Sequence, residues 1–277
     1  MAPLAACLTR LPPRKTTGGA MRAIPEEQYW KFIFPSFDEG KSQLPNGALA
    51  CTGDRILNDS ALKDGEPVRG GWPLKIEGGD IAFGGGGDRL RLVWLRSHKF
   101  ADGTMGGAIA MTRVVDEFAE VYAIGVYRGK PDKTRLGIER IGSELIAYAL
   151  DEGCIGRPAN TPCETKQTLF VGRRGTLKRV AELSLERVEY RDNTEPGTLG
   201  KMEYHLTTTP KYLPSGLKVL EQIRVNDEKG RPMRKAELER LFTLAGDQPM
   251  IESDLPLWPR VIPGAVVAAK PATSATP

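Results

Sequence analysis

The sequence predicts an all-β fold, mainly antiparallel, built as a meander, barrel or sandwich with at most short helices. Three observations lead there. Apolar and polar residues alternate with period two in segment after segment between Leu90 and Leu244, the pattern of a half-buried strand. Turn formers are abundant, with 31 glycines and 21 prolines, which calls for many short elements. Long runs of helical periodicity are scarce. Together the segments make about ten strands at ~10–15-residue spacing, the signature of such folds.

Taken in chain order, Pro25-Glu26-Glu27 opens a helix, because a first-turn proline needs no N–H and the acids favour the positive end. Tyr29, Phe32 and Ile33 share a face of it, and Pro35 ends it after one or two turns. Glycines then punctuate the chain at Gly70-Gly71, Gly78-Gly79 and Gly84 to Gly87. A phosphate cradle needs a helix after such a loop, but Arg89 to Leu95 alternates like a strand, so the loop reads as a turn. Asp102-Gly103 is a hairpin turn, and Phe118 to Tyr127 is a β-branched and aromatic run. Leu136 and Ile138 alternate with charged neighbours. Leu145 to Leu150 is a continuous apolar run, expected to be buried on both faces. Thr168 to Val171 ends at the polar turn Gly172-Arg173-Arg174-Gly175.

Ala181, Leu183 and Leu185 follow, then Met202, Tyr204 and Leu206, then Val219, Ile223 and Val225, each set on one strand face. Asn226 to Gly230 closes a further hairpin. In Lys235 to Leu244, the residues Ala236, Leu238, Phe242 and Leu244 fit period two if Arg240 faces inward. Leu238, Leu241 and Phe242 also fit a helical face. The strand is preferred, because hairpins pair locally.

A chain of 277 residues suffices for one large β domain or two smaller ones. The folded part is expected to span residues 23–262, with a tether over 1–22 and a low-complexity tail over 263–277. The net charge of +4 from 39 basic and 35 acidic residues is too small an excess to indicate nucleic acid as a partner. No apolar run approaches the ~20 residues of a membrane helix, and no cofactor motif is present. Cys154 and Cys163 flank a Gly- and Pro-containing loop and are expected to form a disulfide worth roughly 2–3 kcal/mol. Cys51 reads as a small buried hydrophobe. Two histidines and the absence of a C-x2-C pair argue against zinc.

Leu4-Ala5-Ala6-Cys7 resembles the lipobox of bacterial lipoproteins. The resemblance covers four residues and implies that Cys7 is lipidated, that the membrane is reached through that lipid, and that the protein resides in the cell envelope. No basic or apolar stretch precedes the four residues, as a secretory signal would require. The Pro- and Gly-containing stretch after Cys7 suits a tether.

Few residues point to catalysis. His98, in Arg96-Ser97-His98-Lys99, lacks any nucleophile-elbow motif nearby, and His205 falls on a polar strand face. Asp151 and Glu152 are the most suggestive carboxylates, although neighbours on a strand point to opposite faces. Asn58, Asp59, Asp64 and Glu66 lack the spacing of a calcium loop. Arg173, Arg174, Lys178 and Arg179 read as a charged turn that protects a sheet edge. The four tryptophans, Trp30, Trp72, Trp94 and Trp258, read as core or interface anchors. The expected function is an exported or envelope-tethered protein that binds a partner or envelope ligand or serves a structural role. An envelope hydrolase using Asp151 or Glu152 is the alternative.

Overall fold

Pairing among the strands is almost wholly antiparallel and gathers fourteen of them into one sheet. The computed structural model describes residues 7–11, 26–38, 40–41, 43–45, 47–68, 76, 78–84, 90–115, 117–192, 200–244 and 250–262. The first part of the chain holds β1 (Thr9–Arg10), α1 (Glu26–Ile33), β2 (Glu66–Pro67) and β3 (Ile81–Phe83). Three long strands follow: β4 (Leu90–Lys99), β5 (Met105–Val115) and β6 (Phe118–Gly129). Next come β7 (Thr134–Ile141), β8 (Glu144–Asp151), β9 (Cys163–Arg173) and β10 (Thr176–Asp192). The chain continues through β11 (Lys201–Leu213), β12 (Gly216–Asn226), β13 (Pro232–Thr243) and β14 (Ile251–Glu252) to α2 (Trp258–Val261). The strands from β4 to β13 each have eight residues or more. Alternation marks most of them; β8 shows instead a continuous apolar run, and β5, an unbroken run of small and apolar residues over Met105–Met111, shows no period. The other four have two or three residues, too few to show a period.

Strands β4 to β6 form one meander and β7 to β14 a second. One parallel bridge joins them, Thr176 opposite Ile124, where the Ile124 amide donates to the Gly175 carbonyl at 2.9 Å. Gly125 lies at this seam. A Cβ there would stand 2.3 Å from the Leu177 carbonyl oxygen, so the close approach requires glycine.

The β4–β6 layer is buried on both faces. Leu92, Trp94, Ile109 and Met111 face Ala147, Ala149 and Phe170 of the second meander. Val93, Leu95, Ala108 and Ala110 face the other way, onto Tyr29, Trp30, Phe32 and Ile33 of α1. Trp30 joins the face expected of that helix because it stacks on Phe37 at 5.4 Å. Strand β8 is also buried on both sides, as its unbroken apolar run predicts. Ala147 and Ala149 enter one core, while Ile146 enters another with Leu169, Val171, Leu217, Val219 and Phe242. Beyond it, Leu206, Ile223 and Val225 are covered by Leu257, Trp258 and Ile262.

Lys235 to Thr243 lies within β13 with Arg240 inward, as period two requires. Arg240 pairs with Glu221, and each of the two side chains is 5% exposed. Arg240 also reaches Glu252 at 2.7 Å, and the second Glu221 oxygen accepts the Leu257 amide at 2.7 Å. The buried charges thus fasten β14 and the segment carrying α2 to the inner face of β12 and β13.

Two expectations about the N-terminal stretch change. Residues 7–11 belong to the fold and not to a tether: Thr9 sits opposite Ala119, and the Leu11 amide donates to the Glu117 carbonyl at 2.7 Å. The described folded residues thus include Cys7 to Leu11; residues 1–6, with Leu4, Ala5 and Ala6 of the lipobox-like stretch, 12–25 and 263–277 lie outside the described residues. Cys51, expected as an unpaired hydrophobe, is bonded to Cys7. A lipid thioether at Cys7 would use that same sulfur, so lipidation and this disulfide exclude each other on one chain.

Removing one partner of a buried ion pair strands the other, at about 3–5 kcal/mol, whereas replacing both with apolar residues costs far less. Glu221→Ala is therefore expected to lower unfolding free energy by about 3–5 kcal/mol. The double variant Glu221→Leu/Arg240→Met should lose less than either single change. Urea unfolding of Glu221→Leu, Arg240→Met and the double variant measures this, and additive losses would show that the pair does not act as a unit.

Candidate functional site

A bulge near the end of β4 builds the most site-like feature. The β4–β5 register slips between Arg96 and His98, leaving Ser97 as the extra residue. Bulges re-aim the side chains around them. Gly107 faces this point from β5, and a Cβ on it would meet the Leu95 carbonyl oxygen at 1.9 Å and the Ser97 nitrogen at 2.8 Å. The bulge therefore depends on glycine at 107. Ser97 is buried, and its Oγ lies 2.8 Å from His98 Nδ1.

Ser97 and His98 form one side of a cavity of about 180 Å³. Leu57 and Asn58, on a 3-10 turn, form a second wall, and Pro67 and Val68 a third. The neighbouring 3-10 turn is capped by Asp59, which accepts the Ala61 amide at 2.8 Å. The Val68 amide donates to the Ser97 carbonyl at 2.8 Å. Gln43, Leu44, Pro45, Gly47 and Ala48 complete the cavity. That last wall is a loop held by the Cys7–Cys51 disulfide, by the Cys51 amide donating to Ile33 at 2.8 Å, and by the Asp38–Gln43 bridge. A shallower depression of about 360 Å³ adjoins it, sharing Pro45, Gly47 and Ala48.

Burial lowers the His98 pKa from its ordinary value, so the ring is neutral at neutral pH. When Ser97 donates to Nδ1, the ring proton sits on Nε2 and His98 is itself a donor. All polar side chains lining the cavity, Gln43, Asn58, Ser97 and neutral His98, are uncharged. The chemistry on offer is hydrogen bonding to an uncharged polar group beside apolar walls.

The other predicted residues lie elsewhere. Asp151 ends β8, where burial raises its pKa against the lowering pull of Lys130, Lys133 and Lys166. One of its oxygens is buried without a hydrogen-bond partner among the described residues. Glu152 turns to Arg135 at 2.6 Å. The two carboxylates diverge, as neighbours on a strand do. His205 Nε2 lies 3.1 Å from Glu186 Oε1, on the face opposite Leu206. Beside it, hydrogen bonds from Asn226 and Tyr190 outweigh burial and hold Glu203 below its ordinary pKa.

Cys154 and Cys163 are bonded, as predicted. The Cys7–Cys51 pair was legible only by elimination, once the other two cysteines were assigned to each other. Arg173 and Arg179 are paired with Glu144 and Glu182. Trp30, Trp94 and Trp258 are buried; Trp72 and residues 85–89 of the Gly-rich loop lie outside the described residues. No group of three or more metal-ligating side chains occurs among the described residues. No protein-family model, curated protein or solved structure matches the chain.

The burial of His98 sets a pH dependence. The unfolded ring titrates near ~6.5 and the folded one below that, so between the two values the unfolded chain binds more protons. Stability is therefore complete above the unfolded pKa and falls as pH drops toward the folded one. Denaturant unfolding across this range should show that decline in the wild type and a flatter curve in His98→Gln. Parallel curves would mean that His98 does not titrate from a buried site.

Proposed function

We propose that the chain is an exported protein that acts by binding, and that it seats an uncharged polar group of its ligand in the His98 cavity. The observation that carries this reading is the convergence of Ser97, His98 and Asn58 on one apolar-walled cavity. Ligand sites commonly pair apolar walls with a few placed polar groups. An uncharged ligand group suits it, because an ion there would be desolvated with no opposite charge lining the cavity. The size admits a small moiety, such as an amide with its methyl group, and not a large cofactor.

Export is supported by the two disulfides, which belong to oxidising, non-cytoplasmic compartments. A place in a bacterial cell envelope, as a binding or structural component, is the finer form of that reading; the disulfide at Cys7 removes the lipidation that the lipobox-like start implies, so the support left to it is the disulfides. Within it, Cys7 serves as a disulfide partner and any anchorage is by other means, since its sulfur is already bonded. The hydrolase alternative draws less support: Glu152 is spent on Arg135, and Asp151 faces three lysines.

Two measurements test the proposal. The intact protein from its native cells, alkylated without reduction, is expected to show a mass lower by two hydrogens per disulfide and no attached lipid. Free, alkylated thiols would sink the export reading, and a lipid on Cys7 would sink the assignment of its sulfur to Cys51. For the cavity, NMR titration with acetamide and N-acetylglucosamine should shift the His98 ring and Asn58 side-chain signals saturably, with acetate weaker. The Asn58 shifts should vanish in His98→Ala; a wild-type His98 ring unmoved by either amide would refute binding there.

A further inference from the structure

The edge of β13 is a second place where the molecule is unfinished. Among the described residues, β14 covers it only at Phe242 and Thr243, and Ser253 binds both backbone groups of Leu241. With period two, Lys235, Glu237 and Glu239 point their backbone N–H and C=O groups away from β12, in the same phase as Leu241. All three are exposed. No strand among the described residues pairs with them. The open stretch is bounded at one end by the 227–231 turn, where the Asp227 amide donates to Arg231, and at the other by β14. Its middle residue is Ala236.

We propose that this edge pairs with the same edge of a second copy, antiparallel about a two-fold axis at Ala236. Two constraints bear on that register. Sterically, the turn and β14 bound the stretch Pro232–Arg240, the β12–β13 register slips between Arg234 and Pro232, and an axis near the middle of the stretch pairs most of it. Electrostatically, an axis at Ala236 sets Lys235 opposite the partner's Glu237 and Glu237 opposite the partner's Lys235. Opposite charges facing across strands stabilise and like charges destabilise. Shifting the axis to residue 235 sets Lys235 against itself; shifting it to 237 sets Lys235 opposite the partner's Glu239 twice but adds Glu237 against itself, so the axis at Ala236 has opposite charges with no like pair. An axis at 238 opposes Glu237 and Glu239.

Such a contact is isologous and closes after two copies, because each copy uses the same β13 edge. Its backbone hydrogen bonds are those of strand addition, and the result is one sheet continuous through both molecules. Within one copy Lys235 already pairs with Glu237 and lies beside Gln222 through that carboxylate, so the charges are held in position before association. The competing role of charged edge residues is to repel other chains, and the test separates the two.

Sedimentation velocity over a range of concentrations, with native mass spectrometry, reads the outcome on the intact, disulfide-bonded chain. The wild type is expected to dimerise reversibly. Lys235→Glu, which sets like charges across the axis twice, should weaken the dimer by roughly tenfold. The swap Lys235→Glu/Glu237→Lys should restore it to within about twofold, while keeping the pair within each copy. The swap and the wild type, mixed at equal concentration, should form homodimers and few heterodimers, a sorting that no effect on folding mimics. Far-UV circular dichroism identical to wild type shows that the exposed substitutions leave the fold intact. A monomer at every concentration, or a dimer that Lys235→Glu and mixing leave unchanged, overturns the proposal.

Discussion

The apolar contact between the β4–β6 layer and β8–β10 is the constraint on which the rest of the structure depends. Among the described residues a single parallel bridge links the two meanders, so backbone pairing there contributes little to holding them together. Trp94, Tyr127 and Phe170 cross this gap, with Tyr127 edge-on to Trp94 at 5.1 Å and to Phe170 at 6.2 Å. Ala147 and Ala149 on β8 keep the facing strand low enough for those rings to fit. Burying a large side chain is worth about 1.5–3 kcal/mol, so a handful of such residues outweighs the bridge. With the layers fixed in this way, the outer face of β4 is free to receive α1, and β9 and β10 can carry the second meander around to β13.

Charged residues at inward strand positions play a different part. Arg240 with Glu221, Arg96 with Asp80 at 2.8 Å, and Arg91 with the Tyr29 hydroxyl at 2.9 Å all lie among apolar side chains. Desolvation largely offsets their attraction, so they add little net stability over apolar packing. Their value is in register. A one-residue slip of β13 would put Leu241 inside and Arg240 in water, and Glu221 would be left buried and unpaired. Strand alternation alone tolerates such a slip where Leu238 and Leu241 both fit an apolar face. The buried pair removes that freedom and, through Glu252 and the Leu257 amide, fixes where the last segment lies.

This explains what was legible in the sequence. Most of the long strands announce themselves by alternation, and several hairpins by glycines that adopt positive φ, such as Gly103 at 80°, Gly175 at 84° and Gly230 at 75°. Arg240 is a polar letter in an apolar register, so the β13 pattern reads ambiguously until Glu221 is seen across from it. Strands β1 to β3 and β14 are fixed by their neighbours rather than by their own residues, and two residues cannot show a period. The cavity was less visible still. His98 was singled out, but Ser97 becomes special only because β4 bulges, and the bulge depends on Gly107, a residue on another strand with no chemistry of its own. Asn58 and Gln43 reach the cavity through loops whose path no local pattern predicts.

Those loops tie the site to the compartment. The wall from Gln43 to Ala48 is not part of the sheet; it is held by packing of Leu44, Ala48 and Ala50 into the core and by cross-links: one backbone bridge, one amide to Ile33, and the Cys7–Cys51 bond. A disulfide spanning 44 residues removes about 4 kcal/mol of unfolded-chain entropy on the chain-entropy account. It does so at the end of the wall nearest the cavity. Reduction would leave β4 and its bulge intact, since both are held by the buried core. It would free the loop that closes the opposite side, and with it the apolar half of the cavity. A ligand group seated by Ser97, His98 and Asn58 would then meet water where Leu44, Pro45 and Ala48 now stand. On the proposed binding reading, an oxidising environment favours the ordered wall, and the Cys7–Cys51 bond supports that wall from outside the cavity.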